Sequence, residues 1–222
     1  MDKIRIHKYL SQVGICSRRK AEEYIKNLIK VNKIAKIQLI DINIDKIELL
    51  NKAIKQQKEF LYYKVNKPWV VTTCAQSNEK TILDVISLDK RVFPIRLDKE
   101  TTLILMTNDG RLANFLMHPR YNHEKEYLVE TFGPIDNELE KMRNGLFILS
   151  YTKKAKVERV SSKFTITISE RNRQIRRMVK KVSEVKKLKR IRIENIKLNL
   201  KEEYKELTKK EKDELFKRLD IK

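Results

Sequence analysis

The stretch Phe93-Pro94-Ile95-Arg96-Leu97-Asp98, followed by Leu103-Ile104-Leu105-Met106-Thr107-Asn108-Asp109-Gly110, organises the reading of this chain. The unbroken apolar run at 103–106 predicts a buried strand, and Asn108-Asp109-Gly110 predicts the tight turn that ends it. Arg96-Leu97-Asp98 precedes that strand, so one aspartate beside an arginine stands at a strand entrance. A neighbouring guanidinium keeps a carboxylate ionised by lowering its pKa. An ionised carboxylate is the form a nucleophile needs. Taken alone, however, Arg96 and Asp98 equally describe an ordinary surface ion pair.

Working outward, Leu61 to Asn66 reads as a strand stopped by Pro68, and Thr81 to Ile86 as a short helix. The turn at 108–110 feeds a helix that must stop before Pro119. Glu126 to Thr131 and Lys163 to Ile168 alternate in the manner of half-buried strands. Arg190 to Ile196 is expected to be a further strand, and Thr208 to Lys222 a charged helix. Between them, Arg173 to Val182 is two-faced. Ile175, Met178, Val179 and Val182 form one stripe, and Arg173, Arg176, Arg177 and Lys180 the other. Strands outnumber helices without a βαβ period, which predicts an α+β class with a mostly antiparallel sheet.

Toward the N-terminus, His7 to Val13 predicts a helix ending at Gly14, and Ser17 is the candidate N-cap of a second. Ala21, Tyr24, Ile25 and Leu28 supply the apolar face of that second helix. The isoleucine-rich stretch Val31 to Leu49 predicts short strands. Asn51 to Glu59, polar and rich in lysine, reads as a linker. The domains are therefore expected at 1–58 and 59–222. Arg18, Arg19 and Lys20 fall in the first turn of the second helix, where cations oppose the helix dipole. A bound phosphate would resolve that conflict.

The chain holds 51 basic and 30 acidic residues, a formal charge of +21 over 222 residues. That excess favours a polyanionic partner, nucleic acid above all. No apolar run resembles a secretion signal or reaches the length of a membrane span. Cys16 and Cys74, with His7, His118 and His123, lack metal-site spacing. A reduced, cytoplasmic protein with no metal or cofactor is expected, and nothing points beyond a monomer.

The order of short motifs carries a resemblance. Asn66-Lys67-Pro68, Thr72-Thr73, Thr81-Ile82-Leu83-Asp84 and Arg96-Leu97-Asp98 are followed by Leu105 to Gly110, Glu124-Lys125-Glu126-Tyr127 and Arg171 to Met178. This series resembles the RNA pseudouridine synthases of the RsuA/RluB type. Arg5 to Leu10, Gly14, Ser17 to Glu22 and Val31-Asn32-Lys33 look like the small α-L RNA-binding domain. The stretches Arg171 to Met178, Leu188 to Ile193 and Tyr204 to Thr208 look most like the RluB branch, which modifies large-subunit ribosomal RNA.

The resemblance implies a fold, a reaction and residue roles. A small α-L domain would precede a mostly antiparallel catalytic domain. The reaction is cofactor-free isomerisation of a uridine, flipped out of its stack at a typical cost of a few kcal/mol. Asp98 would be the catalytic carboxylate. Tyr127, otherwise an ordinary core aromatic, would stack on the base, with Ile175 or Met178 flanking it. The arginine paired with Asp98 would be Arg176, or alternatively Arg173. Arg5, Lys8, Arg18, Arg19, Lys20, Arg96, Arg173 and Arg177 would contact RNA. A non-catalytic RNA-binding or ribosome-assembly factor on the same fold is the competing expectation, although a pure binder has no use for a carboxylate facing RNA.

The chain departs from the family pattern where glycine is concerned. It has 4 glycines, where average usage predicts roughly sixteen. The pattern carries glycine between Ile95 and Arg96, between Thr102 and Leu103, between Trp69 and Val70, and between Glu170 and Arg171. One-residue gaps also fall near Asn32-Lys33, Leu198-Asn199 and Glu202-Glu203, and a longer one at Val185-Lys186-Lys187. The trace is the one expected when a glycine codon, read as a stop elsewhere, is passed over. Losing a residue within a strand turns later side chains to the other face, so the gap beside Arg96 bears directly on the aim of Asp98.

Overall fold

A computed structural model describes residues 3–13, 15–16, 21–32, 39–41, 43–54, 59–68, 81–89, 91–95, 103–148, 150–169, 173–181, 183–200 and 202–221. The chain forms two units. The first is Met1–Leu61 with Leu88–Phe93 and Thr107–Gly110, and the second is Tyr62–Ser87, Pro94–Met106 and Arg111–Lys222.

In the first unit, β1 (Lys3–Arg5) leads into α1 (Ile6–Gln12). Arg5, with extended backbone, is the N-cap residue of α1. Ile6, Tyr9 and Leu10 fall at i, i+3 and i+4, and all are buried. After α2 (Ala21–Asn27) come β2 (Ile29–Val31), β3 (Leu39–Asp41), β4 (Ile47–Leu49) and β5 (Lys52–Ala53). Strand β1 pairs antiparallel with β3, and β4 lies between β2 and β5. Ile6, Tyr9, Leu10, Ala21, Ile29, Val31, Ile40 and Ile47 make the core.

One expectation changes here. The predicted linker at 51–59 is partly strand, because Glu48↔Ala53 and Leu49↔Lys52 pair across Leu50-Asn51. Both turn residues have positive φ, 50° and 62°, as a two-residue type I′ hairpin requires. The described part of the second helix begins at Ala21 and carries Glu22 and Glu23 in its first turn, which complements the helix dipole. Its expected cap, Ser17, lies outside the described residues.

The second unit contains β6 (Tyr62–Asn66), α3 (Ile82–Val85) and, apart from the end residues Phe93, Thr107 and Gly110 that belong to the first unit, β7 (Phe93–Ile95), β8 (Leu103–Thr107) and α4 (Gly110–Met117). Then follow β9 (Lys125–Thr131), α5 (Asp136–Asn144), β10 (Lys156–Val160), β11 (Lys163–Ile168) and α6 (Gln174–Val179). The chain ends with β12 (Val185–Ile193), β13 (Ile196–Lys197), β14 (Tyr204–Glu206) and α7 (Lys209–Arg218). One sheet has the order β10-β11-β9-β12-β13 and the other β14-β6-β8-β7. This is the α+β, mostly antiparallel architecture expected.

The alternation read at 126–131 and 163–168 places Tyr127, Val129, Phe164, Ile166 and Ile168 on one buried face. Ile135, Leu139 and Met142 around α5, and Ile175, Met178 and Val179 on α6, join the same cluster. The strand expected at 190–196 is instead a hairpin. It turns at Glu194, whose φ is 50°, and pairs Ile193 with Ile196. Near the C-terminus, the Thr208 hydroxyl accepts from Glu211 N–H while the Glu211 carboxylate accepts from Thr208 N–H. That reciprocal cap starts α7. Lys64, nearly enclosed on β6, reaches Glu211 at 2.6 Å and Asn199 Oδ1 at 2.8 Å.

Irregular backbone borders several positions where the family pattern would carry glycine. Asn32 has φ 50° and Arg173 φ 54°, and β12 slips register against β9 between Val185 and Lys187. Asparagine tolerates the left-handed region, whereas arginine does so less readily.

Candidate active site

Strand β9 is the backbone of the site. Tyr127 is its third residue, 2% exposed, and stands opposite Ile166 on β11 and Arg190 on β12. Ile175 and Met178 of α6 share its core cluster. The structure thus brings together Tyr127 and the two apolar residues expected near the base. Burial of the tyrosine fits the core-aromatic reading, and stacking on a base would require local opening.

The basic stripe of α6 points away from that cluster. Arg177 and Lys180 are exposed and Arg176 is half-buried. Arg173 is exposed and serves as N-cap residue in the left-handed conformation. Arg5 is exposed and Lys8 half-buried in the first unit. Asp98, Arg96, Arg18, Arg19 and Lys20 lie outside the described residues. On either side of Asp98, β7 ends at Ile95 and β8 begins at Leu103, and these two strands are neighbours in their sheet.

Arg190 is a site residue that the sequence reading passed over. It is 1% exposed, and its Nε donates to the Leu103 carbonyl at 2.9 Å. One guanidinium therefore stands opposite Tyr127 while holding the first residue of β8. Taking an ion out of water costs several kcal/mol, so an arginine at this depth must gain from what it holds. The alternating lysines and arginines of 186–192 look like a solvated strand in sequence, which hides this residue.

A second anchor fixes the approach to β9. The His123 ring is buried, with Nδ1 3.3 Å from Glu194 Oε1 and Nε2 2.5 Å from the Phe115 carbonyl. Glu124 N–H donates to the same Glu194 oxygen at 2.8 Å. Burial alone would raise the Glu194 carboxyl, but the bonds from His123 and Glu124 outweigh it and hold the group below its ordinary range. The ring of Tyr121 stacks on His123 with centroids 5.8 Å apart.

The Thr107-Asn108-Asp109-Gly110 turn has a structural task within the first unit. Asn108 is 0% exposed. Its Oδ1 accepts from Leu61 N–H at 2.8 Å and its Nδ2 donates to the Glu59 carbonyl at 3.2 Å. The side chain thereby clamps 59–61 against the turn. Among the described residues, no cluster of His, Cys, Asp and Glu could hold a metal ion, and no helix is long and apolar enough to cross a membrane.

Comparison with known proteins adds a lineage to this geometry. Residues 27–214 match the family model described as RNA pseudouridylate synthase. The dual-specificity RNA pseudouridine synthase RluF of Escherichia coli (strain K12) is 38% identical over 236 residues, covering 98% of this chain and 80% of that protein. The ribosomal large subunit pseudouridine synthase B of Bacillus subtilis is 37% identical, with 84% of each chain covered. A crystal structure of a pseudouridylate synthase superposes with a TM-score of 0.67 at 27% identity, covering 96% of this chain and 99% of that one. The RluF alignment runs over 236 positions although the whole chain has 222 residues, so at least 14 of those positions have no residue here.

Proposed function

Since the chain belongs to the RNA pseudouridylate synthases and is therefore an isomerase, we propose that it converts one uridine of large-subunit ribosomal RNA to pseudouridine, with Asp98 as catalytic carboxylate. The observation that carries the reading is the family match, which runs from residue 27 to 214 and so takes in Asp98, Tyr127 and α6 together. Similarity to a large-subunit enzyme at 37% identity supports the choice of RNA, as does the wording of 171–178.

The reaction breaks the bond between sugar C1′ and base N1, turns the uracil, and joins C5 to C1′. The hydrogen on C5 leaves to solvent and N1, released from the sugar, takes up a proton in its place, so atoms balance without an oxidant or cofactor. Asp98 assists the cleavage, Tyr127 stacks on the uracil, and Ile175 or Met178 flanks it. Arg176, or in its place Arg173, keeps the aspartate ionised by proximity. Arg96 and Arg177 contact the strand around the flipped nucleotide. The first unit acts as an α-L grip, in which Arg5, Lys8, Arg18, Arg19 and Lys20 neutralise phosphates. Contacts of that kind set position and carry little sequence information. The enzyme works in the cytoplasm as a monomer, without metal or cofactor.

The test is a pseudouridine map of ribosomal RNA from cells carrying wild type or Asp98→Asn. The expected result is one missing modification with RNA binding retained. An unchanged map would remove the assignment.

A further inference from the structure

Outside the residues already assigned, residues 145–156 carry an unusual surface. Phe147 and Tyr151 are 52% and 76% exposed, and their rings meet edge to face with centroids 5.5 Å apart. Most large apolar side chains in this unit are buried in its core, so two neighbouring aromatics in water call for an explanation. The same twelve residues contain Lys153, Lys154 and Lys156 and no acidic residue. Lys156 is engaged by Glu158 at 3.0 Å, whereas Lys153 and Lys154 are exposed.

The backbone holds this surface in one shape. Leu146 N–H donates to Thr152 Oγ1, and Thr152 N–H returns a bond to the Leu146 carbonyl, each at 3.0 Å. Phe147 and Tyr151 form an antiparallel bridge. Gly145 sits at φ +90°, where an added Cβ would meet the Thr152 carbonyl oxygen at 2.6 Å. Glycine is therefore required for the close approach that sets the two rings side by side.

The hairpin also adjoins the entrance to the catalytic strand. Lys153 Nζ lies 3.5 Å from Asn122 Oδ1. Beside Asn122, the exposed Arg120 guanidinium covers the Tyr121 ring, 4.5 Å from its centroid. From Asn122 to Tyr127 is at most about 17 Å of extended chain. A basic and aromatic ridge thus leads toward the residue expected to stack on the uridine.

We propose that Phe147 and Tyr151, with Lys153 and Lys154, form a stacking platform for unpaired nucleotides flanking the target uridine. Aromatic faces accept any unstacked base, and lysines between them follow the phosphates. Charge complementarity selects this occupant, because the patch is basic and the enzyme's substrate is a polyanion. The proposal rests on the RNA-modifying role of the chain and names where the substrate's neighbouring nucleotides lie.

The experiment compares wild type with the double variants Phe147→Ala/Tyr151→Ala and Phe147→Trp/Tyr151→Trp. Binding is measured to a fluorescein-labelled oligouridylate and to a duplex RNA of equal length, beside thermal unfolding and pseudouridine kinetics. The alanine variant should bind the single strand at least about tenfold more weakly, from loss of base stacking. Duplex binding and the thermal midpoint should hold, KM should rise with kcat unchanged, and the tryptophan variant should behave as wild type. Single-strand binding within about twofold of wild type would overturn the proposal, since stacking on two rings exceeds that. So would a lowered thermal midpoint with kcat, which makes the rings packing residues. A wild-type dimer that the alanine variant dissolves, seen by sedimentation, would assign the face to a second copy and equally overturn it. If Asp98→Asn and wild type alike form no pseudouridine while the alanine variant still loses single-strand binding, the enzymatic assignment fails and the platform stands.

Discussion

Arg190 provides the sharpest test of how the second unit is held together. Replacing it by alanine removes the bond to the Leu103 carbonyl, and a hydrogen bond from a charged donor contributes about 1.5–3 kcal/mol. It also removes two further buried methylenes, at about 0.8 kcal/mol each. Against this stands relief from burying a charge, itself several kcal/mol before compensation. The cavity left by so large a side chain adds a further cost of about 2 kcal/mol that offsets much of this relief, so the expected net loss for Arg190→Ala is about 3 kcal/mol, a large part of the roughly 5–15 kcal/mol that holds a domain together. Arg190→Met keeps the apolar stem and relieves the buried charge, so its cost should stay below about 1.5 kcal/mol. Urea unfolding with linear extrapolation measures both. Because both variants lose the hold on Leu103, both should also lower pseudouridine formation. An alanine variant as stable as wild type, or a methionine variant with full activity, would refute the reasoning.

Three further outcomes follow from other contacts. The Glu130 carboxylate is held at about 2 by hydrogen bonds from Lys186 and then Lys163, at 2.9 and 3.1 Å. A depressed carboxyl contributes stability above its unfolded value of 4.5 and loses it as pH falls toward 2. Carbon-detected NMR should give a Glu130 midpoint near 2 that rises in Lys186→Ala, and an ordinary midpoint in wild type would contradict the pairing. Asn108→Ala should destabilise the first unit by about 1–3 kcal/mol, since the buried Leu61 N–H loses its acceptor and the Glu59 carbonyl loses a donor; calorimetry checks it. Intact-mass measurement of the native protein should exceed the 26.6 kDa of the written chain by a whole number of glycine residues, and a match to 222 residues would dismiss the skipped-codon account.

Periodicity made much of the second unit legible. The run at 103–106 gave a strand buried at every position, and the alternation of β9 and β11 identified both their faces and the setting of Tyr127. The apolar stripe Ile175, Met178 and Val179 was equally readable. What stayed hidden has physical causes. Helix α5 buries only Leu139 and Met142 within a polar stretch, too few to declare a face. Strand β5 escaped notice because Leu50-Asn51 does not look like the Asn-Gly pair a type I′ turn favours. Arg190 was passed over because its residue type speaks for solvent, whereas the fold gives it the Leu103 carbonyl of β8 to hold at depth.

The central claim, that Asp98 drives isomerisation of a uridine, is tested most directly by tritium release. Ribosomal RNA labelled at uridine C5 is incubated with the purified protein, and the C5 hydrogen appears in water only when C5 becomes bonded to C1′. Wild type should release label in step with new pseudouridine, while Asp98→Asn binds the same RNA and releases none. Release by Asp98→Asn at the wild-type rate would contradict the account.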